Sequence, residues 1–279
     1  MSKTKSTNRG SEAAGQRPYR VGVAFSGGGA RGFAHIGALL ALEEAGLKPD
    51  VIAGVSAGSV VAVLYGAGLT PMQIVEIFAR AGLRDFTELN LGGGGLVSIV
   101  KFMDFIMAAI APKKNLEDLE IPTYIGVSDL DNACPHAFHT GAIGLRMMAS
   151  CSIPIVFPPV LIDGVHYVDG GVLRNHPAWI IRDMCELLIG VNVSPMPPKK
   201  EKYKSIIGVA LRTYNLMAKA NQADDMALCD ISVSTPEIAK HAVFDLKNIK
   251  ELVVLGYKNT RSALVEAGLW NTERRSKQQ

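Results

Sequence analysis

The chain has 279 residues, a length that suits one large domain or two small ones. Hydrophobic residues make up 48% of it and charged residues 20%, so there is ample apolar material for a large core. The net charge is only +3, and no basic stripe with interleaved aromatic residues is present. We therefore expect no nucleic-acid binding.

The cysteines indicate the cellular compartment, and the two ends of the chain indicate the limits of the domain. The four cysteines are scattered and form no C-x-x-C pair: Cys134, Cys151, Cys185 and Cys229. This spacing predicts neither a zinc site nor a disulfide framework, and it indicates reduced thiols in the cytoplasm. Residues 1–19 are polar and basic without the apolar stretch of a secretory signal, so they are predicted to be a disordered tail. Residues 271–279 form a second polar tail, which leaves one domain over 20–270.

Two strand–turn–helix units open this domain. The first is "YRVGVAF", then "SGGGARG", then a helix to about Ala45. The second is "VIAGV", a turn at Ser56 and the apolar helix "AGSVVAVLYGAG", and a further helix follows Pro71. The uncharged stretch Val51–Val75 is long enough to suggest a membrane span. Its glycines and serines favour a buried strand, a turn and a buried helix instead, as in α/β proteins.

The middle of the chain begins with four glycines before a helix rich in Ile, Met and Phe. Residues 91–110 are interpreted either as a mobile lid or as a core helix. Next come a strand "PTYIGVSDL", a hairpin piece "HAFHTG" and a helix that ends before Pro154. "VLIDGVHYVDGGV" reads as a hairpin that turns at Asp163–Gly164, and "ELLIGVNVSP" reads as a buried strand.

The last part of the chain starts with an exposed linker, "PMPPKKEKYK". A helix over 203–226, a strand in "LCDISVSTP" and an amphipathic helix over 247–267 follow. The alternation of strands and helices predicts an α/β fold with a mainly parallel sheet. The linker carries a cluster of lysines: Lys199, Lys200, Lys202 and Lys204. We expect salt-sensitive attraction to anionic bilayers, with a merely solvated linker as the alternative.

A G-x-S-x-G motif occupies residues 54–58, with Gly54 and Gly58 around Ser56. It lies between an apolar strand and a helix, which is the context that a nucleophilic serine requires. The following helix N-terminus favours developing negative charge. We therefore predict that Ser56 is a nucleophile, against the alternative of a Gly/Ser turn in a core.

The glycine-rich opening is consistent with an oxyanion hole. Gly27, Gly28 and Gly29 present backbone N–H groups at a helix start, next to the predicted Ser56 strand. The same stretch fits G-x-G-x-x-G, but a dinucleotide site needs an acidic residue at the end of the second strand. That strand ends instead in Gly-Val-Ser, so an oxyanion site is favoured over a nucleotide site.

The general base is predicted to be Asp169. It ends a strand, and Gly170 and Gly171 follow it. The alternative is a triad in which His176 or His241 would act with Asp169. The position of the serine after only the second strand argues against this arrangement, because α/β-hydrolases place several strands before it.

G-G-G-x-R-G, G-x-S-x-G and D-G-G, in this order, resemble the motifs of the patatin-like phospholipase family. The resemblance extends from about Arg20 to Pro195, and more loosely to about Ala267. It implies a three-layer α/β/α sandwich with a mainly parallel central sheet and a Ser-Asp dyad without histidine. It implies Ser56 as nucleophile and Asp169 as base. The oxyanion hole would be Gly27, Gly28 and Gly29, and the motif support would be Arg31, Gly32, Gly54, Gly58, Gly170 and Gly171.

The implied activity is that of a serine acyl hydrolase: phospholipase A, lysophospholipase or lipid esterase. The enzyme alternative is an acyltransferase that passes the acyl group from Ser56 to an alcohol. No metal and no cofactor are implied. The expected partner is a lipid or acyl-ester substrate, and the expected location is cytoplasmic with peripheral contact at the membrane.

Overall fold

The computed structural model describes residues 17–80, 95–196, 205–241, 243 and 248–270. The strands are β1 (Tyr19–Phe25), β2 (Val51–Val55), β3 (Thr123–Asp129), β4 (Cys134–Phe138), β5 (Val160–Ile162), β6 (Val165–Asp169), β7 (Cys185–Asn192) and β8 (Ile231–Ser234). The helices are α1 (Phe33–Glu44), α2 (Ala57–Gly66), α3 (Pro71–Arg80), α4 (Gly95–Ala109), α5 (Ile143–Ser150), α6 (Ala178–Ile181), α7 (Ile206–Ala220), α8 (Ala223–Ala227) and α9 (Ile249–Glu266).

One sheet of eight strands joins all of these strands. Its order is β5-β6-β3-β2-β1-β7-β8, and β4 also pairs with β3. The neighbours β3-β2, β2-β1, β1-β7 and β7-β8 are parallel, whereas β4 and β6 run antiparallel to β3. The predicted α/β fold with a mainly parallel sheet is thus confirmed.

Both faces of the central strands are buried, as the apolar runs predict. On β1, Val21, Val23 and Phe25 point into a large core cluster shared with α1, α2 and α9. Ala24 points the other way, into a smaller cluster that includes Ala178 of α6. The uncharged stretch 51–75 is accordingly β2, α2 and part of α3. In the part of the chain that the structure describes, no helix has the length and apolar character needed to cross a bilayer.

Helix α4 packs into the core on one side. Ile99, Met103, Ile106 and Ile110 are all less than 5% exposed and follow helical spacing. This contact favours the core-helix interpretation for residues 99–110. Residues 91–94, which carry most of the polyglycine hinge, lie outside the described residues, as does the lysine cluster at 199–204. The predicted N-terminal tail likewise lies outside them up to residue 16.

The predicted helix 203–226 is two helices, α7 and α8, and its interpretation as one was wrong. The break falls at Asn221, whose side-chain amide donates to the carbonyls of Gly171 (3.0 Å) and Val172 (3.1 Å). These bonds tie the end of α7 to the segment after β6. Asparagine competes well with helical hydrogen bonding in this way, which explains why the helix stops there.

Candidate active site

Two strands meet end to end along one edge of β3. β2 pairs with β3 up to the pair Val55 and Gly126, and β6 comes from the opposite direction and ends with Asp169 opposite Val127. β4 pairs with residues 125–129 of β3 and so takes the other edge. The end of β2 and the end of β6 therefore abut, which brings Ser56 and Asp169 together.

Ser56 occupies a strained turn between β2 and α2. Its φ is 52° and its ψ is −125°, a conformation that residues with a side chain rarely adopt. Two serines hold the turn. The N–H of Ser56 donates to Ser150 Oγ at 2.8 Å, and Ser150 Oγ donates to the carbonyl of Gly126 at 2.8 Å. The Ser56 carbonyl accepts from the N–H (2.9 Å) and Oγ (2.6 Å) of Ser59, so the first turn of α2 closes around it.

Close packing explains the two glycines of G-x-S-x-G. A Cβ at Gly54 would collide with the backbone carbonyl of Gly58, and a Cβ at Gly58 would collide with the backbone carbonyl of Phe25. Neither backbone group can move without breaking the sheet or the helix start. The glycines therefore let α2 approach the ends of β1 and β2.

Asp169 lies beneath the surface of the site, with none of its side chain exposed. Burial raises the pKa of its carboxyl to about 6, although the Gly171 N–H and the hydroxyls of Ser56 and Tyr214 each lower it. Oδ1 accepts the Gly171 N–H at 2.8 Å. Oδ2 makes no full hydrogen bond with any described residue. The buried carboxyl thus has one oxygen without a hydrogen bond, and the hydroxyls of Ser56 and Tyr214 lie close to the carboxyl group.

The glycine-rich segment lies beside Ser56, because β1 is parallel to β2 and both end at the same edge. Of the three predicted oxyanion donors, Gly27 needs a correction: its N–H donates to the carbonyl of Asn175 at 3.1 Å. The N–H groups of Gly28 and Gly29 have no acceptor among the described residues. A Cβ at Gly27 would come within 2.5 Å of Asn175 Oδ1, so this glycine serves close packing.

Arg31 and Gly32 brace the same segment. The Arg31 guanidinium donates to the carbonyls of His241 (2.9 Å), Pro195 (3.2 Å) and Ala239 (3.3 Å). A Cβ at Gly32 would lie 2.8 Å from Ala57 Cβ at the start of α2. Arg31 therefore ties the glycine-rich turn to the chain that follows β7 and β8.

A cavity of about 140 Å³ opens over Ser56. Its walls come mainly from the glycine-rich turn, the segment after β7 and one face of α7, and four residues from other segments complete them. The first group is Gly28, Gly29, Arg31, Ser194, Pro195, Met196, Leu211, Tyr214, Asn215 and Ala218, and the second is Ser56, Ile153, Asn175 and Val243. Most of the α7 contribution is apolar. The described residues contain no cluster of three or more His, Cys, Asp or Glu side chains able to hold a metal ion.

The histidines of the triad alternative lie elsewhere. His176 is fully buried against β7, with its ring next to Gly190, and burial lowers its pKa to about 3. The Nε2 atom of His241 lies 3.6 Å from Glu251 Oε1 on α9. No histidine is among the described residues that line the cavity.

Sequence reasoning missed three residues of the site: Ser150, Asn175 and Tyr214. Ser150 and Asn175 lie near the D-G-G motif in sequence, yet serine and asparagine there are also typical of turns. Tyr214 lies on a helix that carries no motif. Its contact with the site depends on how α7 packs, which no local pattern encodes.

Comparison with known proteins identifies the family of the chain. A family model described as patatin-like phospholipase matches residues 23–181, more than half of the chain. The chain belongs to the patatin-like phospholipase family. The three motifs described above, including the one that begins at Asp169, fall inside the matched range.

Two relatives illustrate the relationship within the family. The chain is 30% identical to lysophospholipase nte1 of Aspergillus fumigatus over 161 residues, which cover 56% of this chain and 10% of that protein. It is 31% identical to an uncharacterised NTE family protein of Mycobacterium bovis over 183 residues, which cover 64% of this chain and 51% of that protein. The chain thus spans about half the length of the bacterial relative and a tenth of the fungal one.

Solved structures share the fold at low sequence identity. VipD from Legionella pneumophila superposes with a TM-score of 0.51 at 14% identity, covering 95% of this chain and 72% of that one. Human GIVD cytosolic phospholipase A2 has a TM-score of 0.51 at 13% identity, covering 94% and 60%. The likeness is one of fold, and it confirms the patatin-like architecture.

Proposed function

We propose that this chain is a serine acyl hydrolase of lipid esters, which uses Ser56 as nucleophile and Asp169 as base. The observation that carries the proposal is the strained Ser56 turn beside a buried carboxyl whose pKa is about 6. A base with a pKa near the working pH is well suited to take a proton from a hydroxyl. The strain of the turn is a cost that a purely structural serine would not require.

The reaction would proceed in two steps. Asp169 takes the hydroxyl proton as Ser56 Oγ attacks the ester carbonyl, and the alcohol or lysolipid leaves with a proton. Water, deprotonated by Asp169, then attacks the acyl group and releases the fatty acid and free Ser56. No histidine relays the proton. The buried position of His176 against β7 supports this dyad over a triad.

The oxyanion would be held by the N–H groups of Gly28 and Gly29. They are free of acceptors among the described residues and line the cavity with Ser56. The N–H of Ser56 already donates to Ser150. Removing one such donor typically costs about 10²–10³ in rate. The N-terminus of α2 adds a favourable partial charge at the same place.

The substrate is proposed to be a phospholipid, a lysophospholipid or another acyl ester. The apolar wall formed by Leu211, Ala218 and Ile153 suits an acyl chain. At about 140 Å³ the cavity has the volume of roughly five waters at about 30 Å³ each, which suits the ester group and the first carbons of an acyl chain. The fungal relative named a lysophospholipase supports a lipid substrate.

Peripheral contact with a lipid surface belongs to the same proposal. α7 lines the cavity with one face, and the opposite face carries exposed apolar side chains at helical spacing: Ile206, Val209, Leu216 and Met217. Ile206 is 89% exposed. The cationic Arg212 and Lys219 flank this face. An apolar helical face with basic flanks is suited to the surface of an anionic bilayer.

The test is turnover of a lipid panel with product analysis. Wild-type protein should release free fatty acid from phospholipid or lysophospholipid, whereas Ser56→Ala and Asp169→Asn should lose the activity while keeping their circular dichroism spectra. Adding a short-chain alcohol distinguishes transfer from hydrolysis, because acyl-ester product would then replace fatty acid. Absence of turnover on every lipid, or full activity of either variant, would contradict the proposal.

A further inference from the structure

The carboxyl of Asp169 has a neighbour that the two-step reaction does not use. Its Oδ1 accepts the Gly171 N–H, and its Oδ2 is buried without a full hydrogen bond among the described residues. Besides Ser56, the hydroxyl that faces this carboxyl is that of Tyr214 on α7. A buried carboxylate without enough hydrogen-bond donors destabilises the fold, and a nearby hydroxyl that donates to it offsets this cost.

The Tyr214 hydroxyl and the Asp169 carboxyl both lie against the Cα of Gly171. Its hydroxyl oxygen lies 2.5 Å from the point where a Cβ at residue 171 would be, and Asp169 Oδ1 lies 3.2 Å from the same point. Any side chain at position 171 would therefore displace the tyrosine hydroxyl. This contact gives the second glycine of the D-G-G motif a specific purpose, which is to leave room for the hydroxyl beside the carboxyl.

Further contacts fix the position of Tyr214. At the end of α7, Asn221 donates to the carbonyls of Gly171 and Val172, and its Oδ1 accepts the Asn175 N–H at 2.9 Å. Two turns of helix separate Asn221 from Tyr214. The same bonds that end α7 thus hold the tyrosine over the segment that follows Asp169.

We propose that Tyr214 is a positioning residue for Asp169: its hydroxyl donates to the carboxylate and holds it, ionised, towards Ser56. This inference rests on the proposed function. Burial raises the pKa of Tyr214 well above its ordinary value, so the side chain remains a neutral donor throughout the pH range of activity. By stabilising the charged form, the hydroxyl opposes the effect of burial on Asp169.

The other titratable groups near Asp169 do not compete for this role. The Cys151 thiol lies near Ser56, Ser59 and Asp169, and burial raises its pKa above the ordinary value. It therefore remains a neutral thiol between pH 5 and pH 8. Among the described residues that influence the titration of Asp169, none carries a charge. A shift in its pKa on mutation of Tyr214 can thus be assigned to the hydroxyl.

The experiment is the pH profile of kcat/KM for Tyr214→Phe on a soluble short-chain ester. We expect the acid limb, which lies near pH 6 in the wild type, to move up by about one pH unit. The variant should therefore lose about tenfold more of the wild-type kcat/KM at pH 5 than at pH 8. The matched control is Tyr257→Phe, whose hydroxyl donates to Glu44 on α1, and its profile should match the wild type. Gly171→Ala should shift the limb in the same direction, because its Cβ displaces the hydroxyl.

A second readout separates failure of this inference from failure of the proposed function. The Asp169 carboxyl is titrated by ¹³C NMR in a Ser56→Ala background, with Asp169→Asn identifying the signal. Tyr214→Phe should raise the midpoint even if no ester is hydrolysed. An unchanged midpoint and an unchanged acid limb, in folded protein, would overturn the role of Tyr214 while leaving the dyad intact.

Discussion

Asp169→Asn should abolish hydrolysis. It should also change the free energy of unfolding, and the difference between variant and wild type should shift in favour of the variant as pH rises from acid to neutral. The reason is the burial of a carboxylate. The pKa of Asp169 is raised from an ordinary value of 3.8 to about 6 in the folded chain. Between these two values the folded protein keeps a proton that the unfolded chain has lost. The free energy of unfolding of the wild type therefore falls as pH rises through this window.

The size of the effect follows from the shift. About two pH units at 1.36 kcal/mol per unit correspond to roughly 3 kcal/mol, of which about 2–3 kcal/mol should develop between pH 4 and pH 8. Asparagine at this position carries no titrating group, so this part of the pH dependence disappears. Its amide keeps an acceptor for the Gly171 N–H and adds a buried donor. That change shifts the free energy of unfolding of the variant by the same amount at every pH.

Urea unfolding of the two proteins at several pH values between 4 and 8 measures the difference. Asp129→Asn is a control for which the pH dependence should have the opposite sign. Side-chain and backbone hydrogen bonds from Asn132 lower the pKa of Asp129. This variant should therefore lose stability relative to the wild type as pH rises. A difference between Asp169→Asn and the wild type that stays constant with pH would refute the argument, since it would mean that Asp169 titrates normally in the folded chain.

Three further outcomes are expected. Ser56→Gly should be more stable to urea than Ser56→Ala by about 1 kcal/mol, because glycine relieves the positive φ of the turn; equal stability would mean that the turn is unstrained. His176→Gln and His241→Gln should keep most of the esterase activity, and a loss of about a thousandfold in a folded variant would overturn the dyad in favour of a triad. The double variant Ile206→Ser/Leu216→Ser should bind anionic vesicles at least tenfold more weakly, because burying each apolar side chain in the bilayer contributes about 1.5–3 kcal/mol. Its activity on a soluble ester should be unchanged. If the variant sediments with the vesicles as much as the wild type does, α7 is not the contact.

The sequence predicts the main elements and the principal site residues for a physical reason. Strands such as β1 and β2 are short apolar runs that are followed directly by a serine, and α2 begins one residue after β2. Local patterns of this kind identify an element because neighbouring residues decide it. The position of Ser56 between β2 and α2 therefore follows from the residues on either side of it.

Contacts between distant segments could not be derived in this way. The end-to-end meeting of β2 and β6 depends on both strands pairing with one edge of β3, and nothing in either strand specifies that partner. The acceptor of the Gly27 N–H, which is the carbonyl of Asn175, is likewise set by tertiary packing. The break between α7 and α8 at Asn221 has a weak local signal, because asparagine also occurs within helices.

The most direct test of the central claim is covalent labelling with a fluorophosphonate, followed by mass spectrometry of the peptides. The account predicts a single adduct on Ser56, complete loss of that adduct in Ser56→Ala, and labelling of Asp169→Asn slowed by at least about a hundredfold at pH 7.5. An adduct on another residue, or labelling of Asp169→Asn at the wild-type rate, would contradict the assignment of Ser56 and Asp169 as the catalytic pair.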